Sequence, residues 1–364
     1  MDSNKVKVKK ESKNKIKVEF DRTPLKDRLK AKFLNFYFIS NVIVKIFRFV
    51  FLLGIAYVIL SPYLDMIAST FMGRHDFVDP GVMLIPKNPT FEYYREVFVR
   101  NQFMRAFANS LLSSITVSVL QTFVCCFIAY GLAKYKFKGN NLIFLLVILT
   151  MVIPHSVLNT AMKEHFRQFD IIGILSFLSG GASTGISGID SVLSSIKILK
   201  LPYGIALNNT FMPFIILSIT GLAFKNGLYI FMLRQFFRGI PDSLEESAYI
   251  DGSSDFKTFV RVIIPMSVPM MITVFLFAFC WQWTDQFYTK MFFSGEKSPL
   301  TLNSEAFMKA PTTLTTMQDG LDNYVIPACT NAAKILLISP LIIMYVFLQR
   351  YLVEGIERSG LTAE

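Results

Sequence analysis

The chain has 364 residues, of which 52% are hydrophobic and 17% charged, with 36 Phe and a mean hydropathy of +0.45. This composition excludes disorder and a pair of soluble domains, and apolar runs of about 20 residues point to a polytopic, all-α membrane protein. The net charge of +11 does not signal nucleic acid, because 12 Lys/Arg against five acids crowd into residues 1–32 with Phe20 as the one aromatic residue among them, too few for a base-stacking platform.

Taken in chain order, residues 1–40 form a basic tail, too long and too charged for a cleaved signal peptide and of the kind expected on the cytoplasmic side of a first span. Six spans follow, at about Ile46–Thr70, Phe107–Leu132, Leu142–Met162, Asn208–Phe237, Phe259–Thr284 and Val325–Gln349. An even count puts both termini inside. The loop Lys134-Tyr135-Lys136-Phe137-Lys138 then also falls inside, whereas 63–105 (five basic, five acidic) and 285–325 (three Lys, five acids) fall outside. The whole six-helix domain occupies 41–353, and 354–364 is a second cytoplasmic tail.

Cys125, Cys126, Cys280 and Cys329 lie in or beside apolar stretches with no C-x-x-C spacing, which reads as small buried thiols, not a zinc site. Lys225-Asn226-Gly227 interrupts the fourth span near mid-depth. A polar break there either faces a cavity or caps an irregular stretch packed against protein. Residues 163–203 form a long external insertion around a Gly/Ser-rich centre, 179–188. Its apolar flanks, 171–178 and 192–201, are too short to span, and either dock a receptor or decorate the bilayer surface.

Between the fourth and fifth spans, Pro241 breaks the incoming helix. Asp242 or Ser243 is the expected N-cap, acids fill the first turn, and Gly252 is the expected stop, so 241–258 holds a short surface helix on the cytoplasmic side. Small residues at Ser247, Ala248 and Gly252 leave room for another protein to close over its backbone.

This segment resembles the E-A-A…G…I-x-L-P signature of bacterial ABC importer permeases. Glu246-Ser247-Ala248 stands for E-A-A, Asp251-Gly252 for D-G and Ile264-Pro265 for L-P, with Ser in place of the first Ala. The resemblance covers most of the chain, about 107–350, and is nearest to carbohydrate permeases of the maltose-permease G-subunit type. Pro86-Lys87-Asn88-Pro89-Thr90, Ala129-Tyr130-Gly131-Leu132-Ala133, Leu233-Arg234-Gln235-Phe236-Phe237, Trp283-Thr284-Asp285 and Gln349-Arg350-Tyr351 carry it. The long insertion and the 356–361 tail depart from the family pattern.

The resemblance implies a type I ABC importer permease in the bacterial cell membrane, with no catalytic residues, cofactor or metal of its own. Its implied partners are a second homologous permease subunit, two cytoplasmic ATP-binding subunits, an external sugar-binding protein and a carbohydrate, which would be transported by alternating access. Glu246, Ser247, Ala248, Asp251 and Gly252 would form the coupling helix that docks on an ATPase. The chain has no G-x-x-x-x-G-K-[ST] loop to hold nucleotide, and His75, His155 and His165 form no ligand cluster. Aromatic faces and hydrogen-bonding side chains suit sugars, so Asn226, Tyr229, Trp283 and Asp285 are the pathway candidates. Trp281 reads as an interfacial belt residue. The loop 286–324 resembles one that reaches into the binding protein. An importer for glycerol phosphate or a polyamine is the alternative reading, and a polytopic membrane enzyme a more distant one.

Overall fold

A computed structural model describes residues 8–11, 15–18, 36–100, 102–170, 205–293 and 322–360. The chain divides into two units, residues 1–66 and 67–364. The first carries an antiparallel hairpin, β1 (Val8–Glu11) and β2 (Lys15–Val18), in which Val8 pairs with Val18. In β2, lysine alternating with Ile and Val gives the period of two that a strand requires. All other regular elements among the described residues are helical.

Helix α1 (Phe36–Phe71) begins ten residues before the expected span. Within Ser40–Phe71 its most apolar stretch buries nothing against protein. Exposed Phe, Leu, Ile and Val around a whole helix fit a hydrocarbon solvent, not water. After it, an ordered loop is held by Asp76, whose carboxylate accepts hydrogen bonds from the Asn88 backbone and side chain at 2.9 Å. These bonds keep the Asp76 carboxyl below its ordinary pKa. A short helix, α2 (Glu92–Arg100), leads to α3 (Phe103–Lys134), the second span.

The third and fourth spans differ from expectation. α4 (Asn140–Val152) stops at Ile153, and after a 3₁₀ turn at His155–Leu158 the chain continues as α5 (Asn159–Arg167), bent by 91°. Pro154 is the cause: it lacks an N–H and forces the residue before it out of the helical region. Ile153 accordingly has ψ 120°. The fourth span is split into α6 (Met212–Ile219) and α7 (Asn226–Arg238). Gly221 (φ 76°) and Lys225 (φ 68°) both adopt left-handed backbone conformations that no helix can pass through.

After α7 come α8 (Asp242–Ile250), α9 (Asp255–Thr258) and a π-turn at Phe259–Ile263. They lead into α10 (Ile264–Trp283), α11 (Phe287–Phe292) and α12 (Asp322–Gly360). Residues 255–283 run as one apolar span, with the widened π-turn just ahead of Pro265. Among the described residues, four helices are thus long and apolar enough to cross a membrane, or five if the bent pair α4–α5 is one span, while the expected fourth span is divided between the two shorter helices α6 and α7.

The main core joins α3, α7 and α10 through Cys125, Cys126, Ala129, Tyr229, Leu233, Phe237, Met270 and Val274. A second cluster seats α2, α3, α10 and α12 around Trp283, and a third gathers Val117, Phe166, Phe214 and Phe292. No disulfide joins the four cysteines, and three of them are buried. Phe169 and Ile205 exchange backbone hydrogen bonds of 3.0 Å, so the chain leaves for 171–204 and returns at one point. The predicted elements 171–178 and 192–201, and most of the 286–324 loop, lie outside the described residues.

Candidate functional site

The surface helix α8 is capped as the sequence suggests at its end, and differently at its start. Gly252 has φ 78°, its N–H reaches the Tyr249 carbonyl at 3.0 Å, and the Ser253 N–H reaches Ala248 at 2.9 Å. These two bonds make a Schellman motif, whose left-handed residue is nearly always Gly. At the start, Pro241 holds the N-cap position and Asp242 is already the first helical residue. The expected Asp242 or Ser243 cap is replaced because the Asp242 carboxylate is engaged elsewhere.

Its partner is Lys134, in the last turn of α3. The ammonium donates to the Ile240 carbonyl and to Asp242 Oδ1, each at 2.7 Å, and lies 3.8 Å from Glu245 Oε1. The Lys134 side chain is 7% exposed and Glu245 10%, against 80% for Asp242. The Lys134 hydrogen bond holds Asp242 below its ordinary pKa, whereas burial raises that of Glu245 despite the nearby ammonium. The rest of the α3 terminus is also tied. Arg234 Nε donates to the Leu132 carbonyl at 3.2 Å while its guanidinium stacks on Phe144, and Asn140 donates to the Leu132 and Tyr135 carbonyls. Carbonyls that a helix end leaves unpaired are therefore met by side chains of α4 and α7.

Glu246, Ser247, Asp251 and Gly252 are exposed and Ala248 is half-buried. Around them Leu244, Tyr249, Ile250 and Phe256 are exposed as well, Ile250 by 87%. Glu245 alone in α8 is buried. A short helix that presents this much apolar surface beside charged groups has the makings of a docking face.

Elsewhere in the same unit, the bend at Pro154, the break at 220–225 and the end of α10 enclose a cavity of about 280 Å³. It is lined by His155, Ser156, Phe224, Trp281, Thr284, Asp285, Gln286, Phe287 and Tyr288. A space of about 20 Å³, enough for one water, adjoins it beside Gln121, Ser218 and Gln282. His155 Nδ1 and the Tyr288 hydroxyl are 2.6 Å apart, and Lys225 Nζ sits over Phe224 and Trp281 at 4.6 and 4.8 Å. Asp285 lines both spaces and accepts from the Thr289 N–H and hydroxyl and the Tyr288 N–H.

The predicted pathway residues separate here. Asp285 lines the cavity, whereas Asn226, Tyr229 and Trp283 are 1%, 0% and 0% exposed within the core. Trp283 donates to the Leu337 carbonyl at 2.9 Å and packs on Phe107 and Phe279. The cavity tryptophan is Trp281, two positions earlier and so on the opposite face of the helix. Gln282 lines the adjoining space. The amide atoms of Asn226 and the hydroxyl of Tyr229 have no hydrogen-bond partner among the described residues, though both are buried. Lys134, His155 and Tyr288 were missed as site residues. The lysine was visible only as a loop charge, and the other two meet 133 positions apart in the chain.

Residues 121–358 match the model of the binding-protein-dependent transport system inner membrane component family. The alpha-glucoside transport system permease protein AglG of Rhizobium meliloti is 29% identical over 272 residues, 74% of this chain and 60% of AglG. The protein LplC of Bacillus subtilis is 25% identical, covering 84% of this chain and 90% of LplC. The arabinooligosaccharides transport system permease protein AraQ of Halalkalibacterium halodurans is 24% identical, covering 84% and 92%. The crystal structure of a bacterial ABC transporter involved in the import of alginate aligns with a TM-score of 0.60 and 19% identity, over 86% of this chain and 97% of that one. At that identity the likeness shows the fold.

Proposed function

The chain belongs to the binding-protein-dependent transport system inner membrane component family, and on that premise we propose that it is the permease subunit of an ATP-driven importer for a carbohydrate, an oligosaccharide in particular. The match over 121–358, which takes in the Lys134 joint and α8, carries this reading. It is a multi-pass membrane protein and a transport subunit, with ATP hydrolysed by separate subunits. A second permease, two ATP-binding subunits and an external binding protein complete the assembly. Relatives named for alpha-glucosides and arabinooligosaccharides favour sugar over glycerol phosphate or a polyamine.

In this reading both termini are cytoplasmic, in line with the basic N-terminal tail, and α8 is the coupling helix. Glu246, Ser247, Ala248, Asp251 and Gly252 form the face that meets an ATP-binding subunit. ATP favours one conformation only through contacts that differ between two states, and rocking of packed helices turns that difference into alternating access. Solute would pass Asp285 with Trp281, and Asn226, Tyr229 and Trp283 would come into play only if α7 and α10 part. The test is uptake into proteoliposomes holding the complete transporter and its binding protein, with a panel of alpha-glucosides and arabino-oligosaccharides. ATP-dependent accumulation of one of them is expected; uptake of none, with uptake of glycerol phosphate or a polyamine instead, would overturn the carbohydrate assignment.

A further inference from the structure

We propose that Lys134 is a positioning residue that carries movement of α8 into α3, an inference that rests on the importer reading above. A lysine is seldom buried unless its ammonium is paired, and Lys134 directs two hydrogen bonds at one turn, to Ile240 and Asp242, with Glu245 as a further ion-pair partner at 3.8 Å. The α8 helix is otherwise tied to α3 by Tyr130, which hydrogen-bonds the Glu245 carboxylate. Glu245 is its one buried side chain, and Leu244, Tyr249 and Ile250 face away from the core. A push on α8 therefore reaches α3 through hydrogen bonds, two of them at Lys134 and one at Tyr130, and not through apolar packing.

The receiving end is built to transmit it. Arg234 and Asn140 fix the last carbonyls of α3 to α7 and α4, so that terminus moves as one body. Farther along the same helix, Gln121 and Val117 line the small space beside the cavity. A straight helix from Lys134 to Gln121 covers roughly 20 Å. Lys134, with Tyr130 beside it, thus links the docking face to the helix that borders the cavity.

The experiment uses the complete transporter in proteoliposomes, with spin labels at Ser243→Cys on α8 and Leu112→Cys on the exposed face of α3. In the wild-type background the distance between labels should be single and the same with and without ATP, because α8 and α3 travel together. Lys134→Met should broaden or shift that distance on ATP addition, and should lower hydrolysis stimulated by the binding protein about 10-fold, as expected when coupling between two sites is lost. Lys134→Arg, which keeps the charge and donors, should restore both readouts. A merely structural lysine would instead lower assembly, basal and stimulated hydrolysis in proportion. Should Lys134→Met fail to assemble, Lys134→Gln reads the same two quantities, with a partial loss of stimulation expected. An unshifted distance with full stimulation in either variant would overturn the proposal. Absence of any stimulation in the wild-type complex would instead break the importer reading.

Discussion

The joint at α8 and the cavity at the end of α10 use similar chemistry but are assembled in opposite ways. At the joint, one contiguous stretch, 240–252, supplies most of the groups, and distant side chains at one helix end, Lys134 above all, tie them to the membrane helices. At the cavity, residues from three separated segments meet only because two helices are broken, one by Pro154 and one by the left-handed backbone at Gly221 and Lys225. The first depends on exposed chemistry on a well-capped helix. The second depends on backbone irregularity.

This difference ranks the expected effects. The largest lie at the joint: Asp251→Lys or Gly252→Glu should abolish transport while membrane insertion persists, read by uptake together with the amount of inserted protein. A side chain at Gly252 meets nothing within 4 Å, so clash is not the reason. The strain of a positive φ and a charged side chain on the docking face are. Full transport in either variant would make the two regions equivalent and remove the contrast.

Next comes the pair of tryptophans. Trp283→Ala should destabilise the protein by about 3–5 kcal/mol, the range for emptying a packed aromatic site. Trp281, 46% exposed, should change uptake on substitution by Ala with little effect on thermal stability. Equal loss of stability would mean that the cavity wall is part of the core. A smaller effect is expected at Gly227, where an added Cβ would lie 2.6 Å from Thr150 Oγ1 and 2.9 Å from the Val147 carbonyl. Gly227→Ala should cost about 1–3 kcal/mol through overpacking of α7 on α4, checked by thermal unfolding in detergent.

The smallest effect concerns pH. Asp242 sits below its ordinary pKa, so its contribution is present above the ordinary carboxylate value and is lost as pH falls through the lower folded value. Glu245 sits above its ordinary value, so its contribution is largest in acid and is lost as pH rises through the folded value. Asp242→Asn should therefore flatten the acid limb of a stability profile, and Glu245→Gln the limb above it. Identical profiles in both variants would show that the joint does not sense its own carboxylates.

The same contrast decides what could be read from the chain. Gly252 as a helix stop and the exposed register of Glu246 to Asp251 were legible because capping and periodicity act over one turn. The role of Lys134 was not, because its partners lie about a hundred positions away and its charge also fits a topology signal. Pro154 was in view, but the apolar run continues through it and hides a 91° bend. Trp281 lines the cavity and Trp283 lies in the core because residues two apart on a helix point to opposite sides, an angle that hydropathy alone cannot phase. The interruption at Lys225-Asn226-Gly227 was legible as a break, and the pairing of its lysine with Trp281 was not.

The central claim is that α8 is where an ATP-binding subunit meets this chain. A photo-crosslinker at Ser247, with the same group at Met83 in the 72–91 loop as control, tests it in the assembled transporter. The account predicts an adduct with the ATP-binding subunit from Ser247 and none from Met83. An adduct from Met83 alone, or from neither position in an active complex, would contradict it.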